Sequence, residues 1–165
     1  MRRPDFKIKQ DMFSTPFLCL ILICFSRRTR NDRNFITMDP ILKSRFLSLY
    51  CMILADGVID ASELEMLYKI GTENYNLTVA EITQTVRDAG SSFVVPKKLS
   101  DKITLLYELT QIAWADGTID PAEIELLKKY TLKMGFDDNN VDDIVTLLID
   151  SVKNGVPVQT ILSMQ

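Results

Sequence analysis

Ala55-Asp56-Gly57-Val58-Ile59-Asp60-Ala61-Ser62-Glu63 recurs as Ala115-Asp116-Gly117-Thr118-Ile119-Asp120-Pro121-Ala122-Glu123. Six of the nine positions are identical at an offset of 60 residues, and the flanks agree too, Glu65 with Glu125 and Leu67 with Leu127. An apolar stretch runs into each copy and an amphipathic stretch leaves it. The pattern therefore predicts two helix–loop–helix units packed about a pseudo-twofold axis. Gly57 and Gly117 supply the left-handed backbone that follows a helix end. Ile59 and Ile119 are expected to turn inward and pin the loops to the core. Asp60 and Asp120 read as N-caps, with Glu63 and Glu123 at N3 completing capping boxes. Pro121 falls at N1, where a missing N–H costs nothing.

Outward from the repeat, the body of the chain reads as helix throughout. Helices are expected over about 40–55, 61–71, 79–89, 101–115, 121–134, 141–153 and 157–163, which makes an all-α fold of about seven helices. Gly57, Gly71, Gly90, Gly117, Gly135 and Gly155 each follow an apolar-periodic stretch, where a helix stop is expected. Thr78 with Glu81 forms a third capping box, and Ser100 is the expected cap of the fourth helix. The first helix is apolar nearly all round, so it should be central and buried. Phe93-Val94-Val95 is the only strand-like fragment.

The acidic loops invite a calcium reading, because D-G-x-I-D-x-x-E is the second half of an EF-hand loop. With Gly57 on the invariant glycine, Asp56, Asp60 and Glu63 take positions 5, 9 and 12. Positions 1 and 3 then fall on Met52 and Leu54, and in the second copy on Ile112 and Trp114. Those side chains offer no oxygen, so the loops are not EF-hands. The carboxylates can still act together. If the pseudo-twofold brings the loops close, Asp56, Asp60, Glu63, Asp116, Asp120 and Glu123 converge as oxygen donors suited to calcium or magnesium. Asp56 and Asp116 each stand at a helix C-terminus, where negative charge costs roughly 0.3–1 kcal/mol. Such a placement, made twice, calls for a compensating partner: a loop N–H, the facing cap or a bound ion. The alternative for the six is capping plus solvated charge. Asp137, Asp138, Asn139, Asn140, Asp142 and Asp143 read as a capped, solvated helix start.

The chain has 165 residues, 47% apolar and 25% charged, with a net charge of −3. It contains no histidine, which excludes histidine-based nucleophilic catalysis and every histidine zinc site. No nucleophile or oxyanion motif stands out either, so no enzyme is expected. Cys19, Cys24 and Cys51 are odd in number and lack C-x-x-C spacing, against a disulfide framework or zinc ribbon and in keeping with a reducing, cytoplasmic setting. Charge is unevenly placed. Residues 1–37 hold eight basic and three acidic side chains, and the remaining 38–165 hold 11 and 19, a net of −8. That body is no nucleic-acid binder. The head carries one apolar run, Phe17 to Phe25, too short for the roughly 20 residues of a spanning helix. Three readings of 1–37 stand: an upstream extension that is not native, with Met38 as the start; a short membrane anchor; or a cleaved signal peptide.

The duplicated Ala-Asp-Gly-x-Ile-Asp-x-x-Glu motif, the approach Leu109-x-x-Ile112-Ala113-x-Ala115-Asp116-Gly117 and the helix end Met134-Gly135-Phe136 resemble the tellurite-resistance TerB family. A TerB-like domain also occurs in a membrane-anchored J-domain co-chaperone. The resemblance covers about residues 38–153 within a helical domain of 38–165. It implies an all-α fold of about seven helices and an acidic surface for divalent metal. It also implies protein partners in tellurite-resistance or stress-response complexes, sometimes at the membrane, and no catalysis. The alternative is a metal-independent helical interaction or scaffold domain whose acidic face meets a basic partner.

Overall fold

The computed structural model describes residues 38–87 and 93–164. The readings of the head and of Gly90 lie outside the described residues. Those residues form seven α-helices and one 3-10 turn, and no strand occurs among them. In order they are α1 (Pro40–Ile53), α2 (Ala61–Tyr75), α3 (Val79–Arg87), α4 (Leu99–Ala113), α5 (Pro121–Lys133), α6 (Val141–Lys153) and α7 (Val158–Leu162), with the 3-10 turn at Asp138–Asn140 before α6. None of these helices is long and apolar enough to cross a membrane.

The two helices that enter the motif form the centre. α1 packs on α4, and α4 also touches α2, α5, α6 and α7. Phe46, Leu49, Met52 and Ile53 of α1 are fully buried, as are Leu106, Leu109 and Ile112 of α4. This burial agrees with the reading of the first helix as central and buried. The helices that leave the motif, α2 and α5, are amphipathic and cover the centre through Leu67, Ile70, Leu127 and Tyr130.

Three local expectations need correcting. Gly71 does not end α2. The helix runs on to Tyr75 and stops at Asn76, which takes the left-handed backbone (φ 52°). Gly71 serves packing instead: a Cβ there would overlap the Ile82 side chain of α3 and press on Phe46. Ser100 is not the cap of α4. The helix starts at Leu99 with Lys98 at the N-cap position, because the Lys102 N–H to Lys98 C=O bond already closes the first turn. Ile59 is half exposed at 50%, whereas Ile119 packs against the core. The first loop is held by its own hydrogen bonds, described below, and does not depend on burial of Ile59.

One polar feature crosses the core. Arg45 of α1 and Glu108 of α4 are 9% and 1% exposed, and they form an ion pair at 2.7 Å. The remaining groups are satisfied around them. Tyr75 donates to Glu108 at 2.7 Å, Asn74 donates to it at 3.4 Å, and Arg45 also donates to the Asp101 carbonyl at 3.3 Å. The Arg45 guanidinium lies 5.3 Å from the Tyr75 ring centre. Buried charge is tolerable only with this degree of pairing.

Candidate functional site

The two motif loops have matching internal architecture. α1 ends just before Asp56, whose carboxylate accepts the Val58 N–H at 2.8 Å; Gly57 follows with φ 83°. α4 ends just before Asp116, which accepts the Thr118 N–H at 2.7 Å and the Thr118 hydroxyl at 3.0 Å; Gly117 has φ 90°. These loop donors compensate the awkward placement of both aspartates against the helix dipole. Of the candidate partners, the loop N–H is the one observed.

Both capping boxes form as expected. Asp60 accepts the Ser62 N–H at 2.7 Å and also its hydroxyl, while Glu63 accepts the Asp60 N–H at 3.1 Å. Asp120 accepts the Ala122 N–H at 2.7 Å, and Glu123 accepts the Asp120 N–H at 2.8 Å. The hydrogen bonds from Ser62 hold the Asp60 carboxyl below its usual range. The third box, Thr78 with Glu81, forms as well.

The caps do more than end their helices. Glu63 and Glu123 are only 7% and 5% exposed, and each carboxyl lies within electrostatic reach of the other. Two buried carboxyls so placed resist ionising together. Burial pushes Glu123 up to about 7, with the charges of Glu63 and Asp56 adding to the rise. Burial raises Glu63 too, helped by the charges of Asp56 and Asp60. The first loop and the two N3 glutamates are thus electrostatically one unit.

The six expected site residues therefore divide. Glu63 and Glu123 meet in a buried pair, and Asp56 acts on both through its charge. Asp60 and Asp120 are exposed and committed to their caps; Asp116 is exposed and committed to Thr118. Among the described residues, no three carboxylate or thiol side chains are gathered to hold a metal ion. The acidic run at 137–143 is a capped helix start: Asp137 accepts the Asn139 N–H at 2.9 Å, and Asp142 pairs with Lys128 at 2.8 Å. Lys128 also stands 3.9 Å from Glu125, a looser contact within α5. Trp114 is half-buried beside the second loop, with Lys153 Nζ 4.8 Å from its ring centre.

Sequence reasoning missed the Arg45–Glu108–Tyr75 network. The available signal was an arginine, Arg45, set against the apolar run from Phe46 to Ile53 of α1. Compared with protein-family models, curated proteins and solved structures, the chain matches none.

Proposed function

We propose that this chain is a non-enzymatic, TerB-like acidic helical module that takes a divalent cation, calcium or magnesium, at its paired loops and works within tellurite-resistance or stress-response complexes. The observation that carries the reading is the convergence of Glu63 and Glu123, with Asp56 in electrostatic range of both. Two carboxyls buried together repel once both ionise, and either a proton or a hard cation relieves that. Glu63 and Glu123 would hold the ion, which would supply positive charge between two buried carboxyls. Asp56, Asp60, Asp116 and Asp120 would join only by turning from their present N–H partners. Calorimetric titration of calcium and of magnesium into the chain tests this. Asp56→Asn with Asp116→Asn should weaken binding at least several-fold with helicity nearly intact. Absent affinity in the parent, or unchanged affinity in the double variant, rejects a metal role.

The second reading is a metal-independent interaction domain. It is favoured by the loop N–H groups that already satisfy Asp56 and Asp116. Under it, the body's excess of acidic over basic side chains selects a basic protein partner. The same titration separates the two.

A further inference from the structure

Asn154-Gly155 is the only Asn-Gly pair in the chain, and it stands at the joint between α6 and α7. Such a pair carries a reaction of its own. The backbone nitrogen of Gly155 can attack the side-chain amide carbon of Asn154, and a glycine has no Cβ to crowd the approach. A bond forms from Gly155 N to Asn154 Cγ as the N–H proton passes to solvent. The Cγ–Nδ2 bond then breaks and ammonia leaves. Water opens the resulting five-membered imide at either carbonyl. The products are aspartate, or isoaspartate with the chain rerouted through the former side chain. Water is the sole co-reactant, and nothing is oxidised or reduced.

The folded joint holds both reacting groups out of position. Asn154 is exposed, but its Nδ2 donates to the Asp150 carbonyl at 2.7 Å. The N–H of Gly155, the attacking group, donates to the Val152 carbonyl at 3.1 Å. The Asn154 ψ of 5° eclipses Gly155 N with the residue's own nitrogen, whereas ring closure needs it beside Cβ. The chain must therefore rotate about that bond before it reacts. Further ties fix the same turn. Gly155 is left-handed at φ 65°, Val156 N–H donates to the Ser151 carbonyl at 2.8 Å, and Tyr107 of α4 donates to the Val156 carbonyl at 2.8 Å. Reaction waits on opening of this turn. Helix ends open locally at far lower cost than the whole fold.

Asp56-Gly57 and Asp116-Gly117 share the spacing but not the reactivity. An ionised carboxylate resists a nucleophile, and both aspartates accept a loop N–H, at 2.8 and 2.7 Å. Asn154 offers a neutral amide at a helix end. The product would disturb that end in two ways. A carboxylate at residue 154 cannot donate to the Asp150 carbonyl, and it adds negative charge at the C-terminus of α6. Isoaspartate also inserts a methylene into the backbone, which displaces Gly155 and Val156. The Tyr107 tie to Val156 would loosen, and with it the seating of α7, whose Ile161 is buried.

We propose that Asn154 is a site of spontaneous deamidation gated by opening of the α6–α7 joint, and that its conversion loosens α7 from the body. The site depends on neither reading of the acidic loops. The full chain is incubated near neutral pH, in buffer and in urea, and sampled over time. Peptide mass spectrometry reads the exchange of NH2 for OH at residue 154, and chromatography separates aspartate from isoaspartate. In urea, Asn154 should convert ahead of every other asparagine and yield both products. In buffer it should still convert, about tenfold more slowly, which corresponds to about 1.4 kcal/mol of local protection. Tyr107→Phe removes the tie to Val156 and leaves the reacting pair untouched. It should speed conversion in buffer several-fold and leave the rate in urea unchanged. Asn154→Asp, which fixes one product, should lower the thermal midpoint and serves if the first variant fails to fold. Absence of conversion at Asn154 in urea overturns the proposal, as does conversion confined to urea. Equal rates in buffer and urea, or an unchanged rate in folded Tyr107→Phe, overturn the gating. An Asn154→Asp chain that melts with the parent overturns the effect on α7.

Discussion

Glu123 holds a proton at a pH where a surface glutamate would not. Its carboxyl is raised from the ordinary value to about 7, first by burial and then by neighbouring negative charge. The folded state therefore favours the protonated form. The stabilisation is fully present below the unfolded value near 4.3 and is lost as pH rises toward 7. Glu123→Gln keeps an N3 side chain able to cap but removes the titration. Its thermal midpoint should fall less than that of the parent between pH 5 and pH 7.5, measured by circular dichroism across a buffer series. Equal pH dependence in the two proteins would mean that Glu123 does not titrate in this range. Arg45 poses the opposite problem, since its charge is needed. Arg45→Met leaves the nearly inaccessible Glu108 carboxylate without its cation and should cost about 3–5 kcal/mol. Adding Glu108→Leu removes the orphaned charge. Urea denaturation should then show the double variant more stable than the single one.

At the level of helices, the approach of α3 to α2 depends on a missing side chain. Gly71→Ala gains up to about 1 kcal/mol in helix propensity. The new Cβ, however, meets buried Ile82 and Phe46, and overpacking costs about 1–3 kcal/mol. The net expected effect is destabilisation, relieved in part by Ile82→Val, with the urea midpoint as the readout. Gly71 also marks the limit of what the sequence could convey. A glycine after an apolar run reads as a stop, and only the position of Ile82, on another helix, reveals it as a packing site. The capping boxes at Asp60, Thr78 and Asp120 were legible, because every atom that makes them lies within four residues. The all-α class was legible for the same reason: its periodicity is local. The duplicated motif pointed to loops acting together, yet the meeting of Glu63 with Glu123 and the commitment of Asp116 to Thr118 are tertiary and loop-level facts that spacing does not encode. Phe93-Val94-Val95 read as strand-like but forms no strand; Val94 bonds to Ser44 and Phe93 meets Tyr130 instead.

For the described residues as a whole, α4 is the element on which the packing converges. It touches α1, α2, α5, α6 and α7, so both halves of the repeat share one core through it. A hydrophobic core shared in this way leaves neither half a separate interior, and the expected behaviour is a single cooperative transition. Leu109 is fully buried at the middle of α4, whereas Leu147 on α6 is 49% exposed. Leu109→Ala should cost about 2–5 kcal/mol through lost transfer energy and a residual cavity. Leu147→Ala should stay within about 0.5 kcal/mol of the parent. The Leu109 variant should also keep one transition. Trp114 fluorescence reports the second half, and far-UV circular dichroism reports all the helices. In urea the two curves should shift together to lower concentration with the same slope. Separation of the curves, with fluorescence lost before helicity, would mean that α4 does not couple the halves and that each repeat unit has a stability of its own.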